Sequence, residues 1–181
     1  MLDFINTVNA RPTYSRDDLT SDHDVVRWAE AAGLRMRGGE AAACGQVTSN
    51  LHRAVMFREQ LYGVFGPIAQ GLEPRDSALS FVTRRGAQAL RSARWSPGPP
   101  GFVPSWPVDS IEGICDHLAD AAMQLLRSSA TARIGSCAGC GWLYLDTSRA
   151  HARRWCSMNA CGVRSKMRRY HQRQTSATGT L

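Results

Sequence analysis

The chain has 181 residues, 43% of them apolar, and a formal net charge of +7, so a sizeable core can form and disorder throughout is excluded. No stretch reaches the roughly 20 consecutive apolar residues of a membrane-spanning helix, and the opening residues lack the basic and apolar blocks of an export signal. The expectation is a soluble, cytoplasmic protein whose cysteines stay reduced, where close cysteine pairs bind metal rather than each other.

The N-terminal part reads as helical. Leu2, Ile5 and Val8 recur at threes, and Val25, Trp28, Ala29 and Ala32 keep that rhythm until Gly33, with Ser21 and Asp24 as a capping box. Asn6 and Thr7 are polar neighbours inside the first apolar run. When buried they need partners, either by bracing a loop or by lining a ligand pocket. One apolar stripe through Val47, Leu51, Ala54, Leu61, Phe65 and Ala69 predicts a long central helix over residues 40–70, bent or broken at Gly66-Pro67. Pro74 suits the first turn of another helix, in which Leu79 and Val82 face inward before Arg84-Arg85-Gly86.

The Pro/Gly-rich run from Ser96 to Gly101 is a turn that splits the body in two, and the flanking residues 89–95 and 102–106 suggest a small β-hairpin. Asp109 as cap and Glu112 three residues on then open an amphipathic helix through Ile111, Ile114, Leu118, Ala122 and Leu125 to about residue 128. Cys44 and Cys115 fall in helical patterns and are read as buried, inert thiols. His23, His52 and His117 are scattered without an acid or a nucleophile at recognisable spacing, so no catalytic constellation emerges and the protein is not expected to be an enzyme.

The charge divides the chain. Residues 1–132 carry 13 Arg against 14 Asp or Glu, whereas from Arg133 onward nine Lys or Arg face Asp146 alone. Such asymmetry marks a basic module, residues 133–181, made for a polyanion and attached to an ordinary body, residues 1–132. Within the module Cys137 and Cys140 are separated by two residues and Cys156 and Cys161 by four, with fifteen between the pairs. Two close cysteine pairs at this separation match a tetrahedral zinc site. Four thiolates leave no position for water, so one structural Zn2+ is expected, contributing about 10 kcal/mol to folding of the module; an iron–sulfur cluster is the minor alternative.

Around these ligands the sequence predicts a knuckle at 137–141, a short strand at 142–145, a turn at 146–148, a basic link and a helix from Cys156 to about Gln172, a knuckle, short hairpin and helix order that looks like a treble clef. The fold class is therefore mainly α: a helical body with a small hairpin, followed by a treble-clef-like finger. On the last helix Val163, Met167 and Tyr170 form a stripe expected to cover the metal module, while Arg164, Arg168 and His171 make a basic row widened by Lys166, Arg169 and Arg173. Together with Arg149, Arg153 and Arg154 of the link, these arginines and Lys166 are the candidate nucleic-acid contacts. His151 and His171 are read as surface or phosphate-facing, because the sulfur set is complete without them.

The run 137–173, CAGCGWLYLDTSRAHARRWCSMNACGVRSKMRRYHQR, closely resembles the CGNR zinc finger family, with Cys161-Gly162-Val163-Arg164 as the naming tetrapeptide and Val163 where the family has Asn. The opening Leu2-Asp3-Phe4-Ile5-Asn6-Thr7-Val8 and the segment Arg58-Glu59-Gln60-Leu61-Tyr62 are similar to the ABATE domain, which accompanies this finger in bacterial regulators linked to stress-induced transcription. What the resemblance implies is a zinc-dependent regulator binding duplex DNA, with a body placed to sense an effector that the sequence does not name. The rival reading is a zinc-stiffened protein-interaction or sensor module without direct DNA contact.

Overall fold

The computed structural model describes residues 1–9, 11, 16–34, 47–108 and 110–178, without the side chains of 47–49 and 176–178. Leu2–Ile5 form a single helical turn, α1, that buries Phe4 and Ile5. The helix expected to reach Val8 stops early, because the Thr7 hydroxyl donates to the Phe4 carbonyl at 2.9 Å and turns the chain into a strand. That strand, β1 (Val8–Asn9), pairs antiparallel with β2 (Arg16–Asp17), a ladder that periodicity did not reveal. Helix α2 (Asp22–Ala31) begins as predicted: Ser21 Oγ accepts the Asp24 N–H at 3.2 Å, and the Asp24 carboxylate accepts from the Thr20 and Ser21 hydroxyls. The Phe4 and Trp28 rings pack α1 against α2, with centroids 4.9 Å apart.

Helix α3 (Val47–Ile68) is the centre of the body and buries Ala54, Leu61, Val64 and Phe65. Residues 40–46, which the sequence also assigned to it, lie outside the described residues, as does Cys44. Pro67 neither bends nor breaks the middle of the helix; it occupies the last turn, one residue from the end.

Helix α4 (Asp76–Ser92) corrects two expectations. Pro74 lies ahead of it rather than in its first turn, since Arg75 is the N-cap. The helix also continues through Gly86, so residues 89–92 are helical and not strand. Gly86 is a packing glycine: a Cβ there would lie 2.4 Å from Met123 Cγ, and its absence lets α4 approach the next long helix.

The hairpin exists, shifted toward the Pro/Gly run. Strands β3 (Arg94–Gly98) and β4 (Gly101–Ser105) pair antiparallel, with Trp95 opposite Pro104 and Pro97 opposite Phe102. It projects from the body and is rooted by buried Trp106, whose indole N–H donates to the Ala89 carbonyl at 2.7 Å. Helix α5 (Ile111–Leu126) follows, capped by Ser110, whose Oγ accepts the Gly113 N–H at 3.2 Å. Asp109, the expected cap, lies outside the described residues.

The Pro/Gly run does not divide the core. Phe4, Val25, Leu61, Val82, Ile114 and Leu118 belong to one buried cluster, which collects side chains from both sides of the hairpin. Cys115 is buried in that cluster, and burial pushes its thiol up to about 12, which keeps it protonated and unreactive.

The basic module is built onto this body. A 3-10 turn (Ser129–Arg133) leads into β5 (Ile134–Ser136), which pairs with β6 (Leu143–Leu145). Ile134 and Leu143 enter the body's own apolar cluster. Asn6 closes the seam: its amide donates to the Leu143 carbonyl at 2.8 Å and accepts the Leu143 N–H at 2.9 Å, while the Trp142 indole donates to the Val8 carbonyl at 3.0 Å. Of the two roles open to Asn6 and Thr7, both residues brace backbone. Among the described residues no helix is long and apolar enough to cross a membrane.

Candidate metal centre and nucleic-acid interface

The β5–β6 hairpin carries the first cysteine pair at its tip. The Cys137 N–H donates to the Trp142 carbonyl and the Gly141 N–H to the Cys137 carbonyl, each at 2.8 Å, so the knuckle is a tight turn between the two strands. The hairpin thus contains the knuckle, where the sequence had placed the knuckle ahead of it. Gly139 packs closely: a Cβ there would stand 3.2 Å from Cys161 Cβ, a tight contact that would press on the fourth ligand. Cys156 follows the basic link, and Cys161 sits in a π-helical turn (Met158–Gly162) closed by the Gly162 N–H on the Ser157 carbonyl at 3.1 Å. The last helix, α6 (Val163–Thr178), begins only after the fourth cysteine and not at Cys156 as expected.

The four sulfurs fit one zinc ion. A tetrahedral Zn2+ with sulfurs at about 2.3 Å sets its thiolates about 3.8 Å apart. Cys140 Sγ lies 3.6 Å from Cys156 Sγ, Cys156 Sγ lies 3.7 Å from Cys161 Sγ, and all four lie within 4.8 Å of one another. Electrostatics point the same way. Burial pushes the Cys137 thiol up, but backbone N–H groups of Cys156, Gly139 and Cys140 outweigh it and hold the group at about 7. Burial pushes Cys140 up to about 11 and raises Cys156 as well, the neighbouring thiols adding to the rise at Cys156. Four thiolates crowded together need a cation, and one structural Zn2+ held by Cys137, Cys140, Cys156 and Cys161 supplies it.

A second layer freezes the link. The Tyr144 hydroxyl donates to the Arg153 carbonyl, and the Arg153 guanidinium lies 4.5 Å from the Tyr144 ring centroid. That guanidinium donates to the carbonyls of Trp155 at 2.9 Å, of Leu145 at 3.3 Å and of Cys156. Asp146, the single acid of the module, accepts the N–H groups of Ser148 at 2.8 Å and Arg153 at 3.1 Å; hydrogen bonds from Ser148 hold its carboxyl at about 2. Arg133 reaches across to the Ser148 carbonyl at 2.9 Å. None of these roles was assigned from sequence, although one acid among nine cations was itself a signal.

The candidate contact residues separate into two groups. Arg153 directs its guanidinium to the carbonyls of Leu145, Trp155 and Cys156, at either end of the link. Arg149 and Arg154 are exposed on the link, with Arg154 5.8 Å from the Trp155 ring centroid, and Arg164, Lys166, Arg168, Arg169 and Arg173 are exposed on α6. His151 and His171 are exposed as well and take no part in the sulfur cluster. One expectation is overturned. Val163, Met167 and Tyr170 do not cover the metal module; they are 51%, 49% and 54% exposed. The metal and the Tyr144–Arg153 layer hold the module together without a helix laid over it, and on the first turn of α6 it is Ser165 that turns inward.

Family models match the chain over two stretches. The ABATE model, whose description reads "Putative stress-induced transcription regulator", matches residues 1–129, and the CGNR zinc finger matches residues 133–174. No curated protein matches the chain.

Proposed function

The chain belongs to the ABATE family and ends in a CGNR zinc finger, and from that premise we propose that it is a zinc-dependent, duplex-DNA-binding transcription regulator of the cytoplasm, acting in a stress response. The observation that carries this reading is the concentration of exposed cations on a metal-frozen scaffold. Five of them project from α6 and two from the link, with Asp146 turned away into backbone N–H groups. A long cationic side chain loses less freedom on meeting phosphate when its backbone is already fixed, and zinc fixes it. Reaction chemistry has no place in the proposal, because the ion is saturated by sulfur.

A gel shift with random-sequence duplex at micromolar protein tests it. Affinity should fall with salt by a log–log slope of about −0.9 per phosphate contacted. Chelation should abolish the shift. Binding indifferent to salt and to chelator would overturn the reading. The alternative, a protein-interaction or sensing module without DNA contact, draws on the projecting hairpin, where Trp95 and Phe102 are 53% and 69% exposed. The same gel shift separates the two readings.

A further inference from the structure

The outward stripe of α6 has cations on both sides. At 3.6 residues per turn Val163, Met167 and Tyr170 share one face. Arg164, Arg168 and His171 flank it on one side and Lys166, Arg169 and Arg173 on the other, while half-buried Ser165 marks the opposite, inward side. An apolar ridge between two basic rows does not suit a second copy, whose rows would repel these. It suits a polyanion whose surface offers an apolar floor between two lines of charge. The major groove of duplex DNA is that surface: about 12 Å wide against a helix of about 10–12 Å, walled by two phosphate strands, with the thymine C5-methyl as its apolar group. The minor groove, about 6 Å wide, is too narrow for the helix. Residues 163–178 contain no Asp or Glu, so the carboxylate contact that reads cytosine is not available either.

We infer that α6 enters the major groove with Val163, Met167 and Tyr170 against the base edges and one basic row against the phosphates of each strand, giving a preference for thymine-methyl-bearing sites. The inference rests on the DNA-binding reading above and deepens it: α6 supplies the sequence preference, and the link arginines supply affinity alone.

Three synthetic duplexes of equal length, alternating A·T, alternating A·U and alternating I·C, test it on the unaltered zinc-loaded chain. A·U lacks only the methyl; I·C keeps an A·T-like minor groove and presents a G·C-like major groove. With each buried methyl worth roughly fourfold, A·T should bind about fivefold or more tighter than both others. Met167→Ala with Tyr170→Ala should erase that preference and keep the salt slope. Arg164→Gln with Arg168→Gln should weaken all three duplexes alike and reduce the slope by about two. The ridge residues are exposed, so metal content and ellipticity should stay unchanged in the first variant. Equal affinity of the unaltered chain for A·T and A·U would overturn the groove assignment and leave DNA binding standing. No binding to any duplex, or binding to anionic phospholipid vesicles in its place, would overturn both.

Discussion

Arg58 is a guanidinium 1% exposed on the buried stripe of α3, between Ala54 and Leu61. Such a charge persists only when its donors are used, and here they are: Nη1 and Nη2 donate to both Asp17 oxygens at 2.7 and 2.6 Å, Nη1 also to Thr7 Oγ at 3.0 Å and Nε to Glu59 at 2.9 Å. Arg11 completes the group, donating to Glu59 at 2.6 Å over the ring of Tyr62. Arg58→Met should cost about 3 kcal/mol in urea unfolding at neutral pH, the lower part of the range for breaking a buried pair, because the carboxylates left behind keep some solvent. Acid tests the same network. Burial raises the Asp17 and Glu59 carboxyls, but Arg58 and Arg11 bring both below their ordinary values. Groups depressed in the folded state stabilise fully above the ordinary carboxylate range and lose that contribution as pH falls through their folded values. The stability difference between the native chain and Arg58→Met should therefore narrow as pH drops below about 4. The apolar stripe of Ala54, Leu61 and Phe65 was legible, but the burial of Arg58 within it was not read from the sequence, since an arginine at that spacing can also reach out to solvent. Its partner Asp17, on a strand that periodicity missed, was not legible either.

Helical spacing identifies a face but not the direction in which that face points. The stripe of α3 faces the core because four other helices cover it, whereas the same spacing in α6 faces water. The difference lies in what each helix needs for support. A helix of 16 residues is marginal alone, and α6 is anchored at its start by the π-turn that holds Cys161 rather than by packing its apolar side. The four cysteines were fully legible because metal geometry constrains sequence spacing directly. Gly86 misled for the opposite reason: a glycine that ends a helix and one that admits a neighbouring helix look alike until Met123 is placed against it. Val163 follows from the anchoring. Half-exposed at the first position of α6 and outside the four-sulfur cluster, it is not needed as a ligand, so Val163→Asn should change stability by no more than about 0.5 kcal/mol. Zinc stoichiometry, read by metal analysis of the purified variant, should remain one ion per chain.

Across the whole molecule, body and finger are joined by a continuous core and a hydrogen-bonded seam, because Ile134 and Leu143 lie in the body's apolar cluster and Asn6 serves both backbone groups of Leu143. Charge composition separates the two parts sharply, and nothing in it foretells this contact over 137 positions of sequence. Zinc binding should therefore be linked to the body's stability. When the ion orders the β5–β6 hairpin, it also positions Leu143 against Asn6, and the energy of that docking adds to the apparent metal affinity. Asn6→Ala leaves a donor and an acceptor of Leu143 without partners, a loss of about 2 kcal/mol. If docking and metal binding are one event, that loss lowers zinc affinity by about thirtyfold in competition with a chromophoric chelator. Were the finger independent of the body, the variant would unfold more easily and hold zinc as tightly as before. Hydrogen exchange distinguishes the same cases from the other side, since chelation should release amide protection in α1 and β1 only where the seam transmits the loss. A body that feels the state of the finger in this way is also placed to act on it: Arg58 donates to Thr7, and the adjacent Asn6 holds both backbone groups of Leu143 in β6.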